Sequence, residues 1–216
     1  MSPPRVTYAV AARALAERDP VLAGLVDKAG LPNIRRPQET HFAALVRSVL
    51  YQQLAGSAAA AIHRRLILAL DGDVTPEAFL ALSFDTLRAA GLSGNKSTSL
   101  QDLAAKVLDG TVVLEPRRLA RESDDEVIAR LTTVRGIGPW TAQMFLMFQL
   151  RRLDVWPVGD LGVRRGYGLA WAVPMPNERQ LGPLGEAFTP YRSVAAWYCW
   201  RACEIYAGAA ESALTR

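Results

Sequence analysis

The chain is 216 residues long, enough for one well-buried domain or two lobes sharing an interface, and too short for several independent domains. A formal net charge of +4 favours an anionic partner without identifying one. Two cysteines cannot supply the thiolates of an iron–sulfur cluster, Met1-Ser2-Pro3-Pro4-Arg5 has no apolar run of signal-peptide type, and no later stretch is apolar for the length of a membrane span, so the expected location is the cytoplasm, with the nucleoid.

Helical period dominates the chain. Phe42, Leu45, Val46, Val49 and Leu50 form an i, i+3, i+4, i+7, i+8 stripe, with Thr40 placed to cap its start. Gly56-Ser57 interrupts the pattern. Ser57 is a candidate cap for an alanine-rich helix to about Leu70, closed by Gly72. Thr75-Pro76-Glu77 reads as N-cap, N1 proline and first-turn acid. Ser83 opens a segment ending at Ala90-Gly91, and Gly94-Asn95-Lys96 separates it from a helix predicted from about Ser97 to Leu108. Thr111-Val112-Val113-Leu114 is the one short β-branched run, soon ended by Pro116, so the fold class is all-α.

Ser123 and Glu126 have the spacing of a capping box, which starts a helix from Val127 to Thr133. That helix enters Gly136-Ile137-Gly138, and a second one leaves from Thr141 to about Leu153. In it, Met144, Phe145, Leu146, Met147, Phe148 and Leu150 cover nearly the whole circumference, as in a buried helix. The stretch from Pro174 to Pro183 reads as a connection before a final helix, capped by Thr189-Pro190 and carrying Trp197, Cys199, Trp200 and Cys203. The i,i+4 cysteines read as a small core pair, and His41 and His63, far from any acid pair, as surface or capping residues.

A tight turn opening onto a helix is a phosphate-binding device, because unsatisfied N–H groups and the helix dipole both favour negative charge. Gly136 and Gly138 would serve it by positive φ or by letting a duplex backbone come close. Taken alone, a Gly-x-Gly turn is as well explained as ordinary structure, Asp160 as the cap of a helix beginning at Leu161, and the tryptophans as core.

The longer pattern of Leu131, Gly136-Ile137-Gly138-Pro139-Trp140-Thr141-Ala142 and Asp160 resembles the helix-hairpin-helix glycosylase superfamily, and Trp140 resembles its 3-methyladenine DNA glycosylase II branch. Phe42, Leu45-Val46 and Tyr51-Gln52-Gln53-Leu54, then Leu87-Arg88, Gly91-Leu92 and Lys96, then Pro190-Tyr191-Arg192-Ser193 and Trp200 match in the same order, over about Asp19 to Tyr206. The chain is similar to the short form of that branch, without the β-rich N-terminal domain of the long form.

The resemblance implies one glycosylase domain over 1–216 with two helical lobes and the active-site cleft between them. Lobe one would be about 40–152, holding the helix-hairpin-helix at 127–153, and lobe two about 1–39 plus 153–216. It implies Asp160 as the essential carboxylate. Trp140 stands where strand-cutting members carry a Schiff-base lysine, so base release without lyase activity is expected. Trp140, Trp200 and Tyr51 would line the base pocket with Met144 and Leu161, which replace family aromatics. Gly162 follows, implying a roomier pocket. Gln53 aligns with the wedge that fills the gap left by a flipped nucleotide, Leu54 is its apolar neighbour, and Gln52 is either part of the wedge or simply the end of a helix.

Gly136, Ile137, Gly138, Thr141, Arg135 and Lys96 are the expected DNA contacts, with Arg164 and Arg165 as further phosphate candidates. The carbonyls of Thr132, Val134 and Ile137 are placed by resemblance to hold a sodium or potassium ion, with no other cofactor. The expected activity is excision of alkylated purines such as 3-methyladenine and 7-methylguanine from double-stranded DNA, by a monomer. The alternatives are a noncatalytic helix-hairpin-helix DNA-binding module, and a glycosylase for uracil, mismatched or oxidised bases.

Overall fold

A computed structural model describes residues 6–54 and 56–214, with side chains to Tyr206. Among the described residues there are helices and no strand. The chain divides into two compact units, Met1–Arg36 with Arg151–Arg216, and Pro37–Leu150.

The second unit begins with α3 (His41–Tyr51), α4 (Gly56–Ala69), α5 (Pro76–Ala81), α6 (Phe84–Ala89) and α7 (Gly94–Leu108). Thr40 caps α3 by accepting the Ala43 N–H at 3.1 Å, and the predicted stripe of Phe42, Leu45, Val46, Val49 and Leu50 is buried. An isolated helix of this length is marginal in water, so this face holds it, each fully buried Leu or Val contributing roughly 1.5–3 kcal/mol. α4 already includes Gly56, which puts Ser57 inside the helix rather than at its cap. α7 starts at Gly94, three residues before the predicted Ser97, because Ser93 caps it by accepting the Lys96 N–H; Gly94-Asn95-Lys96 is the first helical turn, not a spacer.

The short α8 (Pro116–Leu119) leads to α9 (Asp124–Leu131), whose capping box forms as expected: Ser123 N–H donates to Glu126 at 2.7 Å and Glu126 N–H to the Ser123 hydroxyl at 3.2 Å. Arg130 grips Glu122 with both terminal guanidinium nitrogens, and Arg118 Nε adds a bond of 2.9 Å to the same carboxylate. Hydrogen bonding by Arg130, joined by Arg118, overcomes the opposing effect of burial and holds the Glu122 carboxyl down at about 2.

α10 (Pro139–Met144) runs straight into a π-helical turn, Phe145–Gln149. The helix expected to reach Leu153 therefore stops early, and it is not buried all round: Phe145, Leu146 and Met147 are in the core, whereas Phe148 is exposed. His41 is also not a surface residue. It is half-buried, edge-on to Phe145 at 5.7 Å and 3.0 Å from the Gln149 amide nitrogen, and burial lowers its pKa. His63 is half-buried too, edge-on to Tyr51 at 6.4 Å.

The first unit pairs α1 (Tyr8–Arg18) and α2 (Pro20–Ala29) with α11 (Leu161–Ala170), α12 (Glu178–Leu184), a 3-10 turn (Gly185–Phe188) and α13 (Arg192–Leu214). Asp19 joins α1 to α2 by capping α2 through the Val21 and Leu22 amides, and its other oxygen accepts the Trp171 indole N–H at 3.1 Å. The stretch from Pro174 to Pro183 is not merely a connection. Asn177 and Gln180 form a second capping box, which starts α12. α13 begins at Arg192 rather than directly after Thr189-Pro190; Arg192 is fixed there by a bidentate pair to Asp154, at 2.8 and 2.9 Å. On α13, Cys199 is fully buried and Cys203 donates to the Gly162 carbonyl at 3.3 Å, so both are free thiols.

Candidate active site

The hairpin turn hangs between α9 and α10. Thr132 and Thr133 turn their hydroxyls back to the carbonyls of Ile128 and Arg130, at 2.9 and 2.8 Å, ending α9. Gly136 then takes φ +77°, a conformation side chains rarely adopt, and a Cβ there would overlap the Ser99 hydroxyl of α7. At Gly138 the positive-φ alternative fails: its φ is −93° and a Cβ would meet nothing within 4 Å, so neither strain nor internal packing asks for glycine, and the close approach of a duplex backbone is the alternative left.

One edge of α7 braces the turn from behind. Asp102 accepts the Arg135 N–H at 2.7 Å and the Lys106 ammonium at 2.8 Å, while Lys106 also donates to the Thr133 carbonyl at 2.5 Å. Burial alone would raise the Asp102 carboxyl, but these hydrogen bonds outweigh it and leave the group below its ordinary value.

Several expected DNA contacts are turned inward. Lys96 sits under the end of α3, its Nζ donating to the carbonyls of Leu50 at 2.5 Å and Gln52 at 2.8 Å, and burial lowers its pKa. Its ammonium meets the carbonyl end of α3, where unsatisfied carbonyls attract a cation. The Thr141 side chain is buried and accepts from Gln52, so only its main chain is left to face a phosphate. Ile137 is likewise buried, and Arg164 donates through Nε to the Pro176 carbonyl at 2.8 Å. Arg135, Arg165, Gln53 and Leu54 are exposed.

In the other unit, Asp160 is the N-cap of α11. Its Oδ1 accepts the Val163 N–H at 2.8 Å and the Trp200 indole N–H at 2.9 Å, and the residue is only 8% exposed. Both donors are neutral and neither can accept a proton. The loop leading to Asp160 is pinned by α13, where Ser193 takes the Val155 N–H at 2.9 Å and gives its own proton to the Arg152 carbonyl at 2.7 Å. Trp156 anchors it again through an indole bond of 2.9 Å to the Leu181 carbonyl. Sequence reasoning missed this use of Ser193 and Trp156; the only available signal was Ser193 inside the matched Pro190–Ser193 run.

Gly162 is not a sign of a roomier pocket. A Cβ on it would lie 2.7 Å from Trp200 Cδ1, so the missing side chain is the space in which the Trp200 indole lies. Trp200 itself is half-buried, whereas Leu161 is 63% exposed. In the hairpin unit, Trp140 is 44% exposed, Tyr51 is exposed and Met144 half-buried. Among the described residues, no cluster of His, Cys, Asp and Glu could hold a metal ion.

Residues 46–181 match the model of the HhH-GPD superfamily of base excision DNA repair proteins. The chain belongs to that superfamily. A DNA-3-methyladenine glycosylase 1 of Schizosaccharomyces pombe is 35% identical over 177 residues, 81% of this chain and 77% of that protein. Among solved structures, the Schizosaccharomyces pombe 3-methyladenine DNA glycosylase bound to abasic DNA superposes with a TM-score of 0.80 at 34% identity, over 90% of this chain and 96% of its own. A DNA-3-methyladenine glycosidase from Bacillus halodurans gives 0.82 at 33% identity, over 92% and 91%. The all-α expectation and the family membership thus hold, and no described helix is long and apolar enough to cross a membrane.

Proposed function

We propose that this chain is a monofunctional DNA glycosylase that flips alkylated purines out of double-stranded DNA and hydrolyses their N-glycosidic bond, with Asp160 as the catalytic carboxylate. The observation that carries the reading is the seating of Asp160: a nearly buried carboxylate held by two neutral N–H donors on one oxygen. As the bond between C1′ and the base nitrogen breaks, its electron pair leaves with the base, and a purine already cationic from alkylation departs neutral. Positive charge develops on the sugar, which a fixed anion in a water-poor site stabilises. Water then adds to C1′ and gives up a proton, leaving an abasic site. 3-Methyladenine and 7-methylguanine are the first substrates expected, in keeping with the names of the relatives.

Trp140 stands where strand-cutting members carry an amine, so no imine forms and the strand stays intact. Its exposed indole suits stacking with an electron-poor base, and Gln53 with Leu54 serve as the wedge. The hairpin, with Arg135, grips the backbone phosphates. The carbonyls of Thr132 and Ile137 accept no hydrogen bond among the described residues, and that of Val134 accepts only the Ile137 N–H, at 3.1 Å. Neutral, hard oxygen donors of this kind fit a sodium or potassium ion, which would add positive charge beside a phosphate. The protein would act as a monomer where the genome lies, in the nucleoid region of the cytoplasm.

The test is base release from duplex oligonucleotides carrying 3-methyladenine, 7-methylguanine, uracil or 8-oxoguanine, with the wild type and Asp160→Asn. Alkylated bases should be released without strand breaks until alkali is added. The Asn variant, which preserves the helix cap, should lose release by at least about 10²-fold yet still bind abasic DNA. Retained release by Asp160→Asn overturns the assignment of Asp160, and release confined to uracil or 8-oxoguanine overturns the substrate class.

A further inference from the structure

Gln52 ends α3, and its side chain does not point at solvent. Its amide nitrogen donates both protons into the hairpin, to the Gly136 carbonyl at 3.1 Å and to the Thr141 hydroxyl at 3.1 Å. A carbonyl can only accept, so the amide orientation is fixed by the network. The main chain of the same residue is held from the other side, where Lys96 Nζ takes the Gln52 carbonyl at 2.8 Å and the Leu50 carbonyl at 2.5 Å.

Immediately beyond this doubly tied residue, Gln53 adopts φ +56°, a left-handed conformation costly for a non-glycine residue, and both Gln53 and Leu54 are exposed. Strain of this kind persists only where the surroundings over-determine the backbone. Here the ties on either side of Gln52 do so. The Gln52 amide lands on the carbonyl of Gly136, the residue whose own left-handed φ makes the hairpin turn. The exposed tip and the phosphate-gripping turn are therefore joined by one side chain within one compact unit.

We infer that Gln52 is a positioning residue that makes the Gln53–Leu54 tip and the hairpin one rigid piece, so that gripping a phosphate sets the depth at which the tip enters the base stack. The inference rests on the glycosylase reading above. Unstacking a paired base is itself unfavourable. A tip that yields when pushed would also have to be ordered on contact, at the expense of backbone entropy. A tip fixed to the hairpin meets the stack already ordered.

The experiment compares the wild type with Gln52→Ala, with Gln52→Glu, which keeps the shape but sets a carboxylate oxygen against the Gly136 carbonyl, and with Lys96→Met, which breaks the other tie. Single-turnover release of an alkylated base is measured from a fully paired duplex and from one in which the lesion faces an abasic gap. All three variants should be slower by tenfold or more on the paired duplex and within about threefold of wild type on the gapped one, with affinity for undamaged duplex unchanged. Equal losses on both duplexes, or no loss on the paired one, overturn the inference. Preference for abasic over intact duplex needs no chemistry and is measured in parallel. It should fall for Gln52→Glu, and an unchanged preference overturns the inference even if the wild type releases no base, a result that would instead defeat the glycosylase reading.

Discussion

Replacing Gly162 by alanine would test whether the Trp200–Asp160 bond serves the catalysis proposed for Asp160. The new Cβ would stand 2.7 Å from Trp200 Cδ1, 3.0 Å from its Nε1 and 3.1 Å from Asp160 Oδ1. An indole ring is not the free end of a flexible chain, and ordinary carbon contact begins near 3.5 Å, so the ring must retreat by roughly 1 Å. The 2.9 Å bond from Trp200 to Asp160 then stretches beyond hydrogen-bonding distance. A hydrogen bond to a charged group is worth about 1.5–3 kcal/mol, which corresponds to roughly ten- to a hundredfold in rate if the bond serves the transition state. Alanine is meanwhile the better helix former, by up to about 1 kcal/mol. Single-turnover base release and thermal melting, read side by side, should show a slow enzyme whose melting temperature falls only by what the lost bond costs beyond the helix gain. Trp200→Phe, which keeps a ring and loses the N–H, should be slow as well. Wild-type release by both variants would refute the argument that this bond holds the carboxylate for catalysis.

Other expectations follow from the same geometry. Gly136→Ala, at φ +77° and against Ser99, should cost about 2 kcal/mol or more in urea unfolding. Gly138→Ala should melt like wild type yet bind duplex DNA at least about tenfold more weakly; wild-type affinity would show that no phosphate approaches there. The Glu122 carboxyl falls from 4.5 to about 2 on folding, so its contribution is complete above 4.5 and disappears as pH drops toward 2. Glu122→Gln should therefore lower stability by about 2 kcal/mol at pH 7 and converge with wild type near pH 2; an offset independent of pH would refute the ion pair as its source.

How far the sequence could be read depended on whether a signal was local. The α3 stripe, its Thr40 cap and the Ser123 capping box are each written within a few residues and appear as expected, and Asp160 does cap α11, the alternative its position offered. The early start of α7 was hidden because Gly94-Asn95-Lys96 has the composition of a turn, while the Ser93 cap holds it helical. The destination of a long side chain was least legible. Lys96 looks like a phosphate contact in one dimension, but its nearest charge complement is the carbonyl end of α3, 44 residues away in the chain at Gln52. Gly162 was misread for a similar reason, since an absent side chain says nothing about which distant residue fills the space.

The double duty proposed for Asp160, helix cap and catalytic carboxylate, also bears on how such a protein can change over generations. Because the carboxylate caps α11, an asparagine or serine at that position would preserve most of the cap. One substitution would thus yield a protein that folds, persists and occupies DNA without acting on it. Most other replacements would lose the cap as well, at a cost of about 1 kcal/mol. Folding therefore favours a few small polar residues at position 160, so a silent copy can arise by one step from an active one and return by the same step.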